Sequence, residues 1–425
     1  MKPETSAVHA GYVADDVSRS ASVPVYQTVA YEFDSAQHAA DLFDEKVEGN
    51  IYGRMMNPTT AVLEKRMAEL EGGTAALAVS SGAAAITYAI LNITQAGDHI
   101  VALPNLYGAT YTLLNGILGN FNISVTFAAS DSASDIERVI KNNTKAIYCE
   151  SIGNPAGNVV DIETVSALAH QYGIPLIVDN TVASPALIRP ISHGADIVIH
   201  SMTKYIGGHG SFLWGIIIDS GKFPWREHKS RYPILNEPEP TFHDVRYCEQ
   251  YGEKAYIARC RTVMLRNMGA TLPPQSAIHF LYGLETLFLR MNKHCENALS
   301  AALHLEQHPC VDWVSYCGLP ESDHHAMSLK YMSGRGGGIL TFGIHGGKCA
   351  AETFYDSLRL IKRLVNIGDT KSLACHPAST THRNVPDSEQ IKLGVLPEMI
   401  RLCIGIEHID DILGDIDQAL LKSQR

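Results

Sequence analysis

A lysine that leaves a buried strand and enters a polar, glycine-rich turn is the first residue of this chain with chemistry in reach. Lys204 sits in Ile197-Val198-Ile199-His200-Ser201-Met202-Thr203-Lys204-Tyr205-Ile206-Gly207-Gly208-His209-Gly210. The β-branched apolar run ahead of it reads as a strand covered on both faces. An ammonium at the end of such a strand loses hydration, which depresses its pKa or favours its conversion to an imine. Ser201 and Thr203 add hydroxyls at alternate positions, a pattern that suits an anionic phosphate better than a metal. The phosphate-bearing aldehyde that takes a lysine as a Schiff base is pyridoxal phosphate. Taken alone, the same residues also read as a surface lysine in a loop.

Other strand ends carry residues that bear on that choice. Asp179 follows Leu176-Ile177-Val178, and a carboxylate buried there needs a cationic partner. A protonated pyridine nitrogen is one such partner, and its protonation is what turns the cofactor into an electron sink. Tyr107, among small residues in Asn105-Leu106-Tyr107-Gly108-Ala109-Thr110, offers a flat ring to a heteroaromatic cofactor, or else is a core tyrosine. Ser81, Gly82 and Ala83 lie in a small-residue turn between the strand Ala75 to Val79 and a helix running to about Ile93. Such a turn points free backbone N–H groups at an anion, although close packing explains the same composition. Asn154 in Glu150-Ser151-Ile152-Gly153-Asn154-Pro155 can donate to a carboxylate, and turn chemistry also explains the Asn-Pro pair. Arg401 alternates with the apolar residues of Ile400-Arg401-Leu402-Cys403-Ile404-Gly405, so in a strand it points away from their face. It is a candidate bidentate clamp for a carboxylate, with a plain salt bridge as the alternative. Tyr52 and Arg54 belong to Tyr52-Gly53-Arg54-Met55-Met56-Asn57-Pro58, and they are functional only if a phosphate awaits the guanidinium.

The elements that must position these groups alternate. A helix from Thr60 (Val62, Leu63, Met67 and Leu70 on one face) stops at Gly72-Gly73. Strand-like runs follow at His99–Leu103, Ser124–Ala128, Ala146–Cys149, Leu176–Val178, Ile197–Ile199 and Gly215–Ile218, with helical stretches between them. That alternation predicts an α/β domain with a mainly parallel sheet and ligands at the carboxyl ends of its strands. From about Arg259 the pattern changes to a long helix over Leu281–Met291, a strand over Ile339–Phe342, and helices over Lys348–Leu358 and from His408, which predicts a smaller α+β domain. Residues 1–59 read as an arm that contacts a neighbouring subunit, 60–258 as the large domain that binds the cofactor, and 259–425 as the small domain.

Composition removes several classes of function. A chain of 425 residues with 45% hydrophobic and 19% charged residues has an ordinary globular balance and room for two domains. Its net charge of −11, with no dense Lys/Arg cluster, argues against a nucleic-acid surface. No apolar run approaches the roughly 18 residues of a membrane span, and Met1-Lys2-Pro3-Glu4-Thr5 does not open a signal peptide, so a cytoplasmic location is expected. The nine scattered cysteines form no CxxC pair and read as small buried residues, not as a disulfide or zinc framework. His304 and His308 have i, i+4 spacing but no third ligand nearby, which reads as an exposed helix face.

Together these residues resemble the Cys/Met-metabolism pyridoxal-phosphate enzymes over nearly the whole chain. Within that family the O-acetylhomoserine sulfhydrylase branch is the most similar. The resemblance rests on Tyr-Ile-Gly-Gly-His-Gly after Lys204, on Gly368-Asp369-Thr370-Lys371-Ser372-Leu373 and on His376-Pro377-Ala378-Ser379-Thr380-Thr381-His382. It implies a fold-type I, aspartate-aminotransferase-like subunit that binds pyridoxal 5'-phosphate. The catalytic residues it implies are Lys204, which holds the cofactor as a Schiff base, Asp179 on the pyridine nitrogen and Tyr107 stacked on the ring. Ser81, Gly82, Ala83, Ser201 and Thr203 are implied around the phosphate, with Tyr52 and Arg54 from a neighbouring subunit of a homotetramer built of dimers. Asn154, Ser372 and Arg401 match positions that hold the substrate α-carboxylate. The reaction implied is γ-replacement on an O-acylhomoserine by sulfide or a small thiol. The alternatives are γ-elimination to a 2-oxo acid and ammonia, or a non-catalytic protein that keeps the fold. Two departures stand out: Ala109 where the methionine γ-lyase branch has cysteine, and the bulky Ser211-Phe212-Leu213-Trp214 where the sulfhydrylase branch carries small residues, expected to narrow or reshape the pocket.

Overall fold

The structure, a computed structural model, describes residues 1–44, 46–381, 383, 390–391 and 394–424; His382 of the last motif lies outside them. Seven strands form the larger sheet: β1 (Ala75–Val79), β2 (His99–Ala102), β3 (Ser124–Phe127), β4 (Thr144–Glu150), β5 (Leu176–Asp179), β6 (Ile197–Ser201) and β7 (Gly215–Asp219). Their order is β1-β7-β6-β5-β4-β2-β3. Only β7 runs antiparallel to its neighbours, so the sheet is mainly parallel.

Why these all-apolar runs become central strands is visible in where alternate residues go. Leu176 and Val178 of β5 and Val198 of β6 enter one core cluster, while Ile177, Ile197 and Ile199 enter the cluster on the opposite face. A strand in that position must be apolar on both sides, and each fully buried side chain contributes roughly 1.5–3 kcal/mol. The helix Pro58–Glu71 covers the sheet beside β1; Asn57 caps its start and left-handed Gly72 (φ 79°) its end.

A second sheet contains β8 (Val311–Ser315), β9 (Ile339–Ile344), β10 (Lys362–Arg363), β11 (Leu373–Cys375) and β12 (Met399–Cys403), in the order β10-β11-β12-β9-β8. All its pairings are antiparallel except β10 with β11. Ile400 and Leu402 point into a third core cluster, which leaves Arg401 on the other face of β12, as the alternation predicts.

The long helix expected over Leu281–Met291 is two helices, Pro274–Glu285 and Leu287–Glu306, broken at Thr286. Buried Arg290 accounts for the break: its Nη2 takes the Gly283 carbonyl at 2.6 Å, the acceptor that an unbroken helix would offer to Leu287. The same guanidinium takes the carbonyls of Tyr205 (2.6 Å) and Ile206 (3.1 Å), so it also pins the turn that follows Lys204. Burial without a carboxylate pushes its pKa down to about 10. A side chain on Gly283 would meet the Ile206 carbonyl at 2.3 Å, which is why glycine stands at this crossing.

His304 is not simply exposed; its Nε2 meets Asp417 of the last helix at 2.6 Å. Among the described residues no group of histidines, cysteines and carboxylates could hold a metal ion, and no helix is long and apolar enough to cross a membrane. All nine cysteines are free.

The Arg290 clamp generates a stability prediction. Arg290→Leu leaves three buried carbonyls without their donor, at about 1–3 kcal/mol each where water does not reach them, and should lower the thermal midpoint by several degrees. Gly414→Ala, on an exposed face of the helix Ile409–Ser423 with nothing near the added methyl, should instead stabilise by roughly 0.5–1 kcal/mol. Scanning fluorimetry of both variants checks the pair.

Candidate active site

Parallel pairing of β4 with β5 sets Glu150 opposite Asp179, so two carboxylates leave the sheet side by side. Both are buried. Asp179 Oδ1 accepts the Thr181 N–H at 3.0 Å and Oδ2 faces the Tyr148 hydroxyl at 3.4 Å. Glu150 Oε1 accepts the Tyr107 N–H at 2.6 Å. Burial pushes both carboxyls up from their usual range, and the charge of Asp179 pushes Glu150 further. Among the described residues neither has a Lys, Arg or His ion-pair partner. Sequence reasoning found Asp179 and passed over Glu150 as the opening of a turn; the signal for it is its place at the end of a seven-residue buried strand.

Lys204 follows β6 by three residues. Its Nζ donates to Asn366 Oδ1 at 2.6 Å. Arg401 reaches the same place from the second sheet: Nη2 takes the Asn366 carbonyl at 3.2 Å and Nη1 takes Asn154 Oδ1 at 3.1 Å, while buried Nε has no protein partner. Burial lowers the pKa of Lys204, and the Arg401 charge lowers it further. A lysine of this kind is a better nucleophile towards a carbonyl, and a better proton acceptor near neutrality, than an exposed one. Asn366, which joins the lysine to the arginine, was missed; it lies two residues before the Gly368 motif and belongs to no periodic pattern.

The helix Gly82–Leu91 starts beside these groups. Ser81 Oγ caps it by accepting the Ala84 N–H at 3.0 Å, and the N–H groups of Gly82 and Ala83 in its first turn have no intrahelical acceptor. A side chain on Gly82 would lie 2.6 Å from Ser201 Cβ, so the glycine is what lets the end of β6 approach the helix. Thr203 Oγ1 accepts the Trp214 N–H at 2.9 Å, which ties it to the Ser211–Trp214 segment.

The segment was expected to narrow or reshape the pocket, and its two aromatic rings point onto a neighbouring helix. Phe212 stacks on His279 (centroids 4.3 Å, 18°) and Trp214 meets Phe280 edge-on at 6.3 Å, so both aromatics turn onto the helix Pro274–Glu285. With Thr203, Gly207 and Tyr282, Phe212 lines a cavity of about 560 Å³ beside the lysine turn.

Ser372 does not join the cluster. Its hydroxyl donates to Glu407 Oε2 at 2.9 Å and accepts the Gly405 N–H at 2.8 Å, closing the turn after β12, and the residue is fully buried there. The polar side chain of this segment that faces Lys204 and Arg401 is Asn366. Tyr52 and Arg54 lie on the surface of the arm, with the guanidinium 5.4 Å above the Tyr52 ring. Tyr107 is held through its backbone, and its ring is 49% exposed.

A mainly parallel seven-stranded sheet joined to a mainly antiparallel second sheet, with a half-buried lysine after β6, defines a fold-type I pyridoxal-phosphate enzyme. The family model described as Cys/Met metabolism PLP-dependent enzyme matches residues 4–421, and the chain belongs to that family. The homocysteine synthase of Schizosaccharomyces pombe is 46% identical over 98% of this chain and 97% of its own length. The O-acetyl-L-homoserine sulfhydrylase 1 of Thermus thermophilus is 46% identical over 99% and 100%. A solved structure from Campylobacter jejuni, assigned as an O-acetylhomoserine (thiol)-lyase and carrying pyridoxyl-lysine monophosphate, matches at TM-score 0.96 and 38% identity, covering 99% of this chain and 100% of that one.

The proximity of Arg401 to Lys204 makes a titration prediction. A lowered pKa leaves more free amine at pH 8 to 9, so Arg401→Gln should move the midpoint of Lys204 labelling by an amine reagent to higher pH. Mass-spectrometric pH profiles of the cofactor-free protein read this directly; an unmoved midpoint contradicts it.

Proposed function

We propose that this chain catalyses γ-replacement on O-acetyl-L-homoserine by sulfide or a small thiol, giving homocysteine or a thioether amino acid with release of acetate. The observation that carries the reading is full-length identity of 46% to an O-acetyl-L-homoserine sulfhydrylase, in a chain whose Lys204, Asn366, Arg401 and Asn154 form one hydrogen-bonded run.

Three features support pyridoxal phosphate at Lys204. A buried carboxylate, Asp179, has no ion-pair partner among the described residues and suits a protonated pyridine nitrogen. The first turn of the helix Gly82–Leu91, with Ser81 and Ser201 beside it, suits a phosphate. The amine of Lys204 is half-buried, and desolvation lowers its pKa. When bound, the cofactor supplies an electron sink for charge that develops on the substrate carbons.

The residues of the chain do the rest. Arg401, whose Nε has no partner among the described residues, and Asn154 would hold the amino acid's carboxylate and so fix the direction of its Cα–H bond. Lys204 takes the α-proton and then a proton from Cβ as acetate leaves Cγ, and returns protons to Cβ and Cα once the thiol has added at Cγ, while Asn366 keeps the amine within reach. Asp179 holds the proton on the ring nitrogen, and Tyr107 covers the ring. Thr203, through its bond to the Trp214 backbone, sets the loop that borders the phosphate side.

On this reading residues 1–59 are an arm on a neighbouring subunit, 60–258 the cofactor domain and 259–425 the small domain. Exposed Tyr52 and Arg54 then serve the phosphate of a second copy, within a homotetramer of dimers. Sedimentation should give a tetramer, and an active, cofactor-loaded monomer contradicts this.

Incubation with O-acetylhomoserine, with and without sulfide, tests the reaction. Homocysteine should dominate when sulfide is present; 2-oxobutanoate and ammonia as main products under excess sulfide, or no turnover, reject it. Lys204→Ala should abolish both the borohydride-trapped adduct and turnover.

A further inference from the structure

We infer that Tyr205 and Cys403 form a latch between the lysine turn and the small sheet, a positioning pair that sets where the Lys204 amine stands relative to Arg401 and Asn366. The inference rests on the reading above, in which Lys204 takes the cofactor. It goes beyond that reading in assigning two buried residues to which the reaction gives no part.

Three segments must be held in register to bring Lys204, Asn366 and Arg401 together, and one sulfur joins all three. Tyr205 directly follows Lys204, Gly368 lies two residues after Asn366, and Cys403 lies two residues after Arg401 on β12. Cys403 Sγ accepts the Gly368 N–H at 3.1 Å and meets the Tyr205 hydroxyl at 3.4 Å. Alternation along β12 gives Cys403 the face that carries Arg401: it joins the core cluster that holds Tyr205, whereas Ile400 and Leu402 enter another. The backbones are equally close. A side chain on Gly368 would lie 2.5 Å from the Tyr205 nitrogen and 2.8 Å from the Lys204 carbonyl carbon, so glycine is what lets the segment after Asn366 pass against the lysine turn.

Both partners are buried, and His294 fixes the Tyr205 ring edge-on, with centroids 5.2 Å apart at 86°. Among the described residues neither the Gly368 N–H nor the Tyr205 hydroxyl has another hydrogen-bond partner, so an apolar residue at position 403 would leave two buried polar groups unpaired. Burial pushes the Cys403 thiol up from its usual range, so it acts as a neutral group and not as a thiolate beside Lys204. Other ties act elsewhere. Arg290 holds the Tyr205 and Ile206 carbonyls to a helix, and the Thr370 N–H takes the Gly208 carbonyl at 2.8 Å, further along the turn. The latch is the tie between the residue next to Lys204 and the strand that carries Arg401.

Tyr205→Phe, Cys403→Ala, the double variant and Cys403→Ser, all in the full-length chain, test this. The rate at which Lys204 of the cofactor-free protein takes up pyridoxal phosphate covalently is read from absorbance and borohydride trapping, and kcat is read with O-acetylhomoserine and sulfide. Each of the first two variants should slow uptake and lower kcat by about fivefold or more, because the reacting amine is displaced from its aligned position. The double variant should stay within about twofold of the slower single one, since both break the same contact. Cys403→Ser, which keeps a neutral hydroxyl, should bring both rates back to within about threefold of the unaltered protein. The inference is overturned if the two single effects multiply in the double variant, or if Cys403→Ser keeps a native thermal midpoint yet fails to rescue. Native uptake in folded Tyr205→Phe also overturns it. Should Cys403→Ala not fold, Tyr205→Phe, which removes one hydroxyl and keeps the ring, must show the slowed uptake by itself. Uptake without turnover in the unaltered protein counts against the reaction alone, because the latch is still read from uptake; absence of uptake overturns the cofactor reading and this inference with it.

Discussion

Two carboxylates buried side by side without a cation set the conditions for the rest of the molecule. The parallel register of β4 and β5 puts Glu150 next to Asp179, and burial raises the cost of charge on both. The protein offsets part of that cost with donors: the Thr181 N–H and the Tyr148 hydroxyl for Asp179, the Tyr107 N–H for Glu150. Among the described residues no lysine or arginine forms an ion pair with either. On the proposed reading the missing cation arrives with the cofactor, and the strand ends are arranged around a group that the chain itself does not contain.

The positive groups stand apart from this pair and come from both sheets. Lys204 follows β6 of the large sheet, whereas Arg401 lies on β12 of the small one and Asn366 in its β10–β11 connection. Docking of the two sheets is therefore part of the site's geometry, and Arg290 enforces it by tying the helix Leu287–Glu306 to the turn after Lys204. His294 of the same helix takes the Ile404 carbonyl at 2.6 Å, one residue beyond β12. Its ring, buried and close to Arg290, is held to a pKa of about 4. A histidine that is neutral when folded and protonates when unfolded stabilises above pH 6.5, and that contribution is lost as pH falls from 6.5 towards 4.

The sequence revealed those features that follow from periodicity. Continuous apolar runs located β1, β2 and β4 to β7, because a strand covered on both faces has no polar alternation to show. Ends differ by a residue or two where ladder hydrogen bonds run past the apolar run, as at Thr144, Glu150 and Ser201. Arg401 was readable because its neighbours alternate with it. Residues that act by meeting something distant in the chain left no such trace. Glu150 looked like the opening of a turn, Asn366 stood outside any pattern, and Arg290 breaks a helix by capturing a carbonyl seven residues earlier. Ser372 failed for the converse reason: it lies in the right motif, but its hydroxyl turns to Glu407 and Gly405. Phe212 and Trp214 were expected to narrow or reshape the pocket because of their size; size does not give direction, and both rings turn onto a neighbouring helix.

The central claim is that Asp179 waits for a positive ring nitrogen. Binding of pyridoxal phosphate to the cofactor-free protein can be compared with binding of its analogue in which carbon replaces the pyridine nitrogen, in the unaltered chain and in Asp179→Ala. The account predicts that the analogue binds at least about tenfold more weakly to the unaltered protein, a coupling of roughly 1.4 kcal/mol, and that the difference vanishes in the variant. Equal binding of the two compounds to the unaltered protein would contradict it.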